Sequence, residues 1–102
     1  MKPVVLLPRA EVDLFDAAIW YENEREGLGP AFEADSDRLV SRIEWLPFQF
    51  PEIDPGIRRA MLSRFPFGIY FAIEPDEVVV FAVLHLHRDP QTWRERSRLG
   101  SP

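Results

Sequence analysis

The chain has 102 residues, 46% of them hydrophobic, with no cysteine and a formal net charge of −5. That length suits a single domain, 1–102, with one core and excludes two, while the absence of cysteine excludes disulfides, thiol nucleophiles and thiolate metal sites and fits a reducing, cytoplasmic setting. Residues 1–56 carry five basic and twelve acidic side chains and residues 57–102 seven basic and five acidic, so the strongly basic field of a phosphate-neutralising nucleic-acid binder is missing and no direct DNA binding is expected.

Val4 to Leu7 is a four-residue apolar run between Pro3 and Pro8, and reads as a strand, not a secretion signal. No stretch approaches the ~20 apolar residues of a membrane span, so a soluble chain is expected. From Arg9 to Arg25, Val12, Phe15 and Ile19 recur at helical spacing, with Leu14, Ala17, Ala18 and Tyr21 widening the stripe. This predicts an amphipathic helix with two buried faces. Gly27-Leu28-Gly29-Pro30 breaks it, glycine supplying a left-handed closing residue and proline fitting the first turn of a second helix. There Phe32, Leu39, Ile43 and Leu46 share a face, while Glu33, Asp35, Asp37 and Arg38 take the solvent side. Pro47 ends the helix, and Phe48 to Gly56, with Pro51 and Pro55, reads as an irregular connector.

Ile57 to Phe65 is a predicted strand bearing Arg58, Arg59 and Arg64. Phe67, Ile69, Phe71 and Ile73 then alternate with Gly68, Tyr70, Ala72 and Glu74, which defines a strand with one face in the core. After a turn at Pro75-Asp76, Val78 to Leu84 is apolar on both faces and reads as a central strand. Pro90 permits a short helix through Trp93 and Arg96, with fraying expected from Arg98 to Pro102. The order gives an α+β architecture: an N-terminal strand, a helical hairpin packed on an antiparallel sheet with a three-strand C-terminal meander, and a short terminal helix.

The chemistry-bearing letters gather where the last strand leaves the core. Period-2 geometry puts His85, His87 and Asp89 on one face. They offer three zinc-type ligands but no fourth, and polar residues at a strand exit account for the same letters, so no metal or cofactor is expected. Cleavage of RNA through its 2′-hydroxyl needs a base, an acid and cations around the phosphorane, for which His85, Arg64, Arg59 and Arg88 are the candidates. The supply is thin, because Lys2 is the only lysine and the segment around Trp93 has no tyrosine. Arg58 and Arg59 are neighbours, so they point to opposite faces, and a solvated ion pair explains either as well as phosphate does. Trp20 and Trp45 read first as core filling, with anchoring in a partner's groove as the alternative.

Ala10-Glu11-Val12-Asp13-Leu14, Trp20-Tyr21-Glu22, Gly27-Leu28-Gly29, Phe32 and Pro47 occur in one order with the Arg58-Arg59 strand and Arg64-Phe65-Pro66-Phe67-Gly68-Ile69-Tyr70-Phe71. Ala82-Val83-Leu84-His85, Arg88-Asp89-Pro90 and Trp93 complete the series. In this order the chain resembles ParE-type toxins of the RelE/ParE superfamily, found in type II toxin–antitoxin and plasmid-stabilisation modules. The resemblance implies two mechanisms: ParE-like members poison DNA gyrase through protein contact, and RelE-like members cut messenger RNA on the ribosome. This chain lacks the lysine-rich strand and terminal tyrosine common among RelE-like enzymes, and its pI is near 5.0. The expectation is therefore a non-enzymatic gyrase inhibitor presenting Arg64, His85, Arg88 and Trp93 to its target, with a ribosome-dependent endoribonuclease and a degenerate antitoxin-binding module as alternatives. Either mechanism implies a cognate ParD-like antitoxin. Phe15, Ile19, Trp20, Phe32 and Trp45 are the expected docking residues, and self-association of the free chain is left open.

Overall fold

The computed structural model describes residues 1–100, as β1 (Val4–Leu6), α1 (Pro8–Glu24), α2 (Leu28–Trp45), β2 (Glu52–Asp54), β3 (Ile57–Met61), β4 (Phe67–Ile73), β5 (Val78–His85) and α3 (Pro90–Gly100), with a 3-10 turn at Pro47–Gln49. The strands form one sheet in the order β1-β5-β4-β3-β2. The helical hairpin lies on one face and α3 on the other, giving three layers with an apolar cluster in each interface.

The hairpin forms where the glycines predict it. Gly27 has φ 93°, the left-handed conformation that a side chain disfavours, and the Glu22 carboxylate accepts the N–H groups of Gly27 (3.0 and 3.2 Å) and Gly29 (2.9 Å). A Cβ at Gly29 would sit 3.0 Å from the Ala18 carbonyl oxygen, so the two helices touch backbone to backbone at their hinge. Tyr21 closes that end, with its ring 4.7 Å from Phe65 and 5.4 Å from Phe32. Burial raises its phenol pKa above the ordinary value.

Five expectations need correction. The sheet is mixed, because Val4, Val5 and Leu6 pair in parallel with Val78, Val79 and Val80. The connector contains a strand, β2, hidden from sequence by Pro51 and Pro55 and paired to β3 through Glu52 and Asp54. The arginine strand ends at Met61, and Leu62 to Pro66 is a turn. Strand β4 is buried on both faces: Ile69 and Phe71 meet the hairpin, and Tyr70 meets α3. The helix α3 runs to Gly100, so Arg98 to Gly100 continue it where fraying is expected, and Ser101 and Pro102 of that expected segment lie outside the described residues.

Strand β5 is apolar on both faces, as its letters predict, and a bulge completes the reason. Tyr70 pairs with Ala82 but Phe71 with Val80, which leaves Phe81 as the extra residue. Val80 and Val83 therefore face the hairpin, while Phe81, Ala82 and Leu84 face α3.

Candidate functional site

Two surfaces carry the candidate residues. On α1, the side that meets the sheet and α2 is made of small residues, Ala10, Ala17 and Ala18, together with half-buried Leu14 and Tyr21. The large residues lie on the other side: Phe15 is 66% exposed and Trp20 58%, with Val12 and Ile19 also exposed. The helix thus buries one face only, and the expected second buried face is open to solvent. Trp20 meets Tyr21 edge-on at 5.1 Å, which holds the indole upright at the hinge end of the hairpin.

Beside this stripe a cleft of about 320 Å³ runs between the helices, lined by Leu14, Phe15 and Ala18 from α1 and Glu33, Ser36 and Asp37 from α2. Among the described residues, Ser36 Oγ is a buried polar atom without a hydrogen-bond partner, an unsatisfied group with a cost of its own. Of the five residues expected to dock a partner, Phe15 and Ile19 share this face, and Trp20 is exposed about 140° further round the helix from Phe15. Phe32 does not share it: it is 0% exposed, packed between Tyr21, Phe65 and Phe67. Trp45 is exposed, but at the C-terminal end of α2, away from the hinge and near exposed Leu46 and Phe48.

The second surface surrounds the end of β5. The bulge parity turns His85 toward the hairpin side, where its ring lies 5.4 Å from Phe67. With Arg88, Asp13 and Asp16 it lines a cleft of about 240 Å³. The strand stops at His85, so the expected alternation through His87 and Asp89 gives way to a turn in which Arg88 N–H donates to the His85 carbonyl at 3.0 Å. The His87 N–H donates to His85 Nδ1 at 3.1 Å, and Asp89 caps the first turn of α3 by accepting the Gln91 N–H at 2.9 Å. Among the described residues no group of three or more His, Asp or Glu side chains is placed to hold a metal.

The four residues considered for RNA cleavage do not converge. Arg59 lies on the opposite face of the sheet from His85, its stem over Gly68, where a Cβ would meet its Cγ and Cδ at 3.0 Å. Arg64 sits in the β3–β4 turn, with its guanidinium 5.9 Å from the Phe65 ring centroid. Trp93, expected to face a target, is 5% exposed and stacks on Tyr70 at 5.6 Å. It is the residue that docks α3 on the sheet.

Two carboxylates that tie distant elements together escape a reading of the letters. Asp35, assigned by helical spacing to the solvent side, is 3% exposed and accepts the Ser63 hydroxyl (2.9 Å) and the Arg64 N–H (3.0 Å). It ties α2 to the β3–β4 turn and thereby fixes where Arg64 stands. Asp13, inside a helix with no distinguishing neighbour, reaches Arg96 on α3 and the backbone of β5. Their partners lie 28 to 83 residues away in sequence, and only the Asp before an apolar face hints at either.

No protein-family model matches the sequence, and no curated protein matches it. Among solved structures, a chain of the chromosomal ParDE TA system from P. aeruginosa matches with a TM-score of 0.73 at 21% identity, covering 83% of this chain and 96% of that one. The two share a fold: strand, helical hairpin, meander sheet.

Proposed function

We propose that this chain is the toxin component of a type II toxin–antitoxin module, neutralised by a ParD-like antitoxin and acting on DNA gyrase by protein contact. The observation that carries the reading is the likeness of fold to a chain of the ParDE system over nearly all of that chain's length. Fold alone does not dictate activity, so the site must add to it. The antitoxin reading draws support from Phe15, Ile19 and Trp20, large apolar groups of α1 that the molecule leaves uncovered, with Phe15 lining a cleft between the helices.

The preference for contact over cleavage draws support from His85. The His85 Nδ1 lone pair is engaged by the His87 N–H at 3.1 Å, so that nitrogen is turned to the backbone rather than to a substrate hydroxyl. The cations that would stabilise a phosphorane are spread over two faces of the sheet. Arg64, His85 and Arg88 make the target-facing surface in this reading, without Trp93, which is enclosed against Tyr70 on the other face of the sheet.

Inducible expression in a host lacking the antitoxin, paired with supercoiling by purified gyrase, tests the proposal. Growth arrest, inhibited supercoiling and co-purification with the neighbouring small gene product are expected. Arrest with A-site mRNA cuts and unimpaired supercoiling would replace the gyrase reading with an endoribonuclease, and no arrest would leave an antitoxin-binding module only.

A further inference from the structure

Helix α2 brings two carboxylates and a hydroxyl to the cleft between the helices. Glu33 and Asp37 are one turn apart, about 6 Å along the axis, and both are exposed where they line it. Like charges at that spacing repel each other. Among the described residues neither carboxylate meets a cation: the neighbouring Arg38 turns to Asp35 instead, at 3.7 Å.

Ser36 is an independent sign of a missing ligand. It lines the same cleft and is 3% exposed, yet its Oγ has no hydrogen-bond partner. A serine inside a helix can return its hydroxyl to the carbonyl one turn back, and a buried hydroxyl left without any partner carries the full cost of its desolvation. Rotation about the single Cα–Cβ bond re-aims Oγ between staggered positions. From α1 the cleft receives only Leu14, Phe15 and Ala18. One wall is therefore apolar, and the other is anionic with an unsatisfied hydroxyl behind it.

We propose that this cleft seats one arginine side chain of the docking partner. The inference rests on the reading of the hairpin as the partner-docking face and names the chemistry which that face selects. The methylene stem of an arginine suits Leu14, Phe15 and Ala18. Its planar head carries five donors, enough for two carboxylates and a hydroxyl together, and it lies favourably on an aromatic ring such as Phe15. A lysine ammonium is a more strongly hydrated point charge with three donors and gains less from the same walls. Residues 1–56, which include both helices, carry twelve acidic and five basic side chains, so the surrounding field draws a basic segment and repels an acidic one.

The test uses the full chain alone, followed by amide NMR while N-acetyl-arginine methylamide is titrated through the millimolar range, beside its neutral isostere N-acetyl-citrulline methylamide and N-acetyl-lysine methylamide. Saturable shifts at Phe15, Glu33, Ser36 and Asp37 are expected with arginine, weaker ones with lysine and none with citrulline. Glu33→Gln with Asp37→Asn should weaken arginine binding about tenfold or more. Ser36→Ala should weaken it about fivefold, with the urea midpoint unchanged or raised, because the substitution removes a hydroxyl that the free fold does not satisfy. No saturable shift with arginine, equal binding of citrulline or lysine, or unaltered affinity in the double variant would overturn the proposal. So would a lowered urea midpoint in Ser36→Ala, which would mean that the hydroxyl is engaged within the free fold. Because the probes report on the free chain, the two readings fail separately: arginine binding without a co-purifying partner keeps the seat and removes the antitoxin reading, and growth arrest with co-purification but no arginine binding does the reverse.

Discussion

The hairpin face and the end of β5 treat their side chains in opposite ways. On the hairpin, large apolar residues stand in water beside a cleft that holds a polar atom with no partner. At the end of β5, polar residues are engaged with one another or with backbone: Asp13 with Arg96 and Val83, His85 with His87, Asp89 with Gln91. Binding capacity resides in groups a fold leaves unsatisfied. The apolar face is therefore the one with free energy still to gain from a partner, although the letters of the β5 end look more like a site.

Substitutions can break that contrast. The largest effect is expected just beneath the hairpin face. Phe32 shares the helix pair with Phe15 but is enclosed, so Phe32→Ala should cost roughly 3–5 kcal/mol of stability, read as a fall in urea midpoint at unchanged slope. A loss below about 1 kcal/mol would mean that the ring is not enclosed and belongs with the exposed residues. Next comes Asp35→Ala, which strands the Ser63 hydroxyl and the Arg64 N–H. About 1–3 kcal/mol should be lost, together with faster amide exchange in the turn from Leu62 to Pro66. The smallest effect on stability is expected at Trp20→Ala, within about 0.5 kcal/mol because the indole is mostly in water. Binding to the ParD-like partner of the proposed function should instead weaken by tenfold or more in calorimetry. Unaltered binding would move the docking face elsewhere on the molecule.

Much of the fold is legible because period and punctuation carry it. The glycine hinge, the alternation in β4 and the apolar run of β5 each follow from local chemistry. What is not legible depends on distant partners or on size. The Val12, Phe15 and Ile19 stripe is a true helical face, but spacing does not say which face buries. Close packing at the hinge selects Ala18 for the interior, and Ala17 is buried with it, leaving the larger stripe outside. Asp35 reads as solvated because a carboxylate in a helix usually is, and its two donors come from a turn after β3. Strand β2 has three residues between prolines, too few for a period. In the site, Arg59 and His85 share a sheet on paper, and strand parity with the bulge at Phe81 separates them to opposite faces.

The parallel pairing of β1 with β5 has a consequence for how the chain comes to exist. Val4 meets Val78, so the first strand to be synthesised waits for the last. Contacts this remote close slowly, since the chain must surrender loop entropy before they stabilise anything. Until β5 is available, the hairpin has no completed sheet to rest on, and both its inner and outer apolar surfaces are open. A nascent chain in that state is prone to capture by whatever apolar surface arrives first. The inner apolar surface of the hairpin is thus covered only when the last strand arrives, while the outer one stays open before and after.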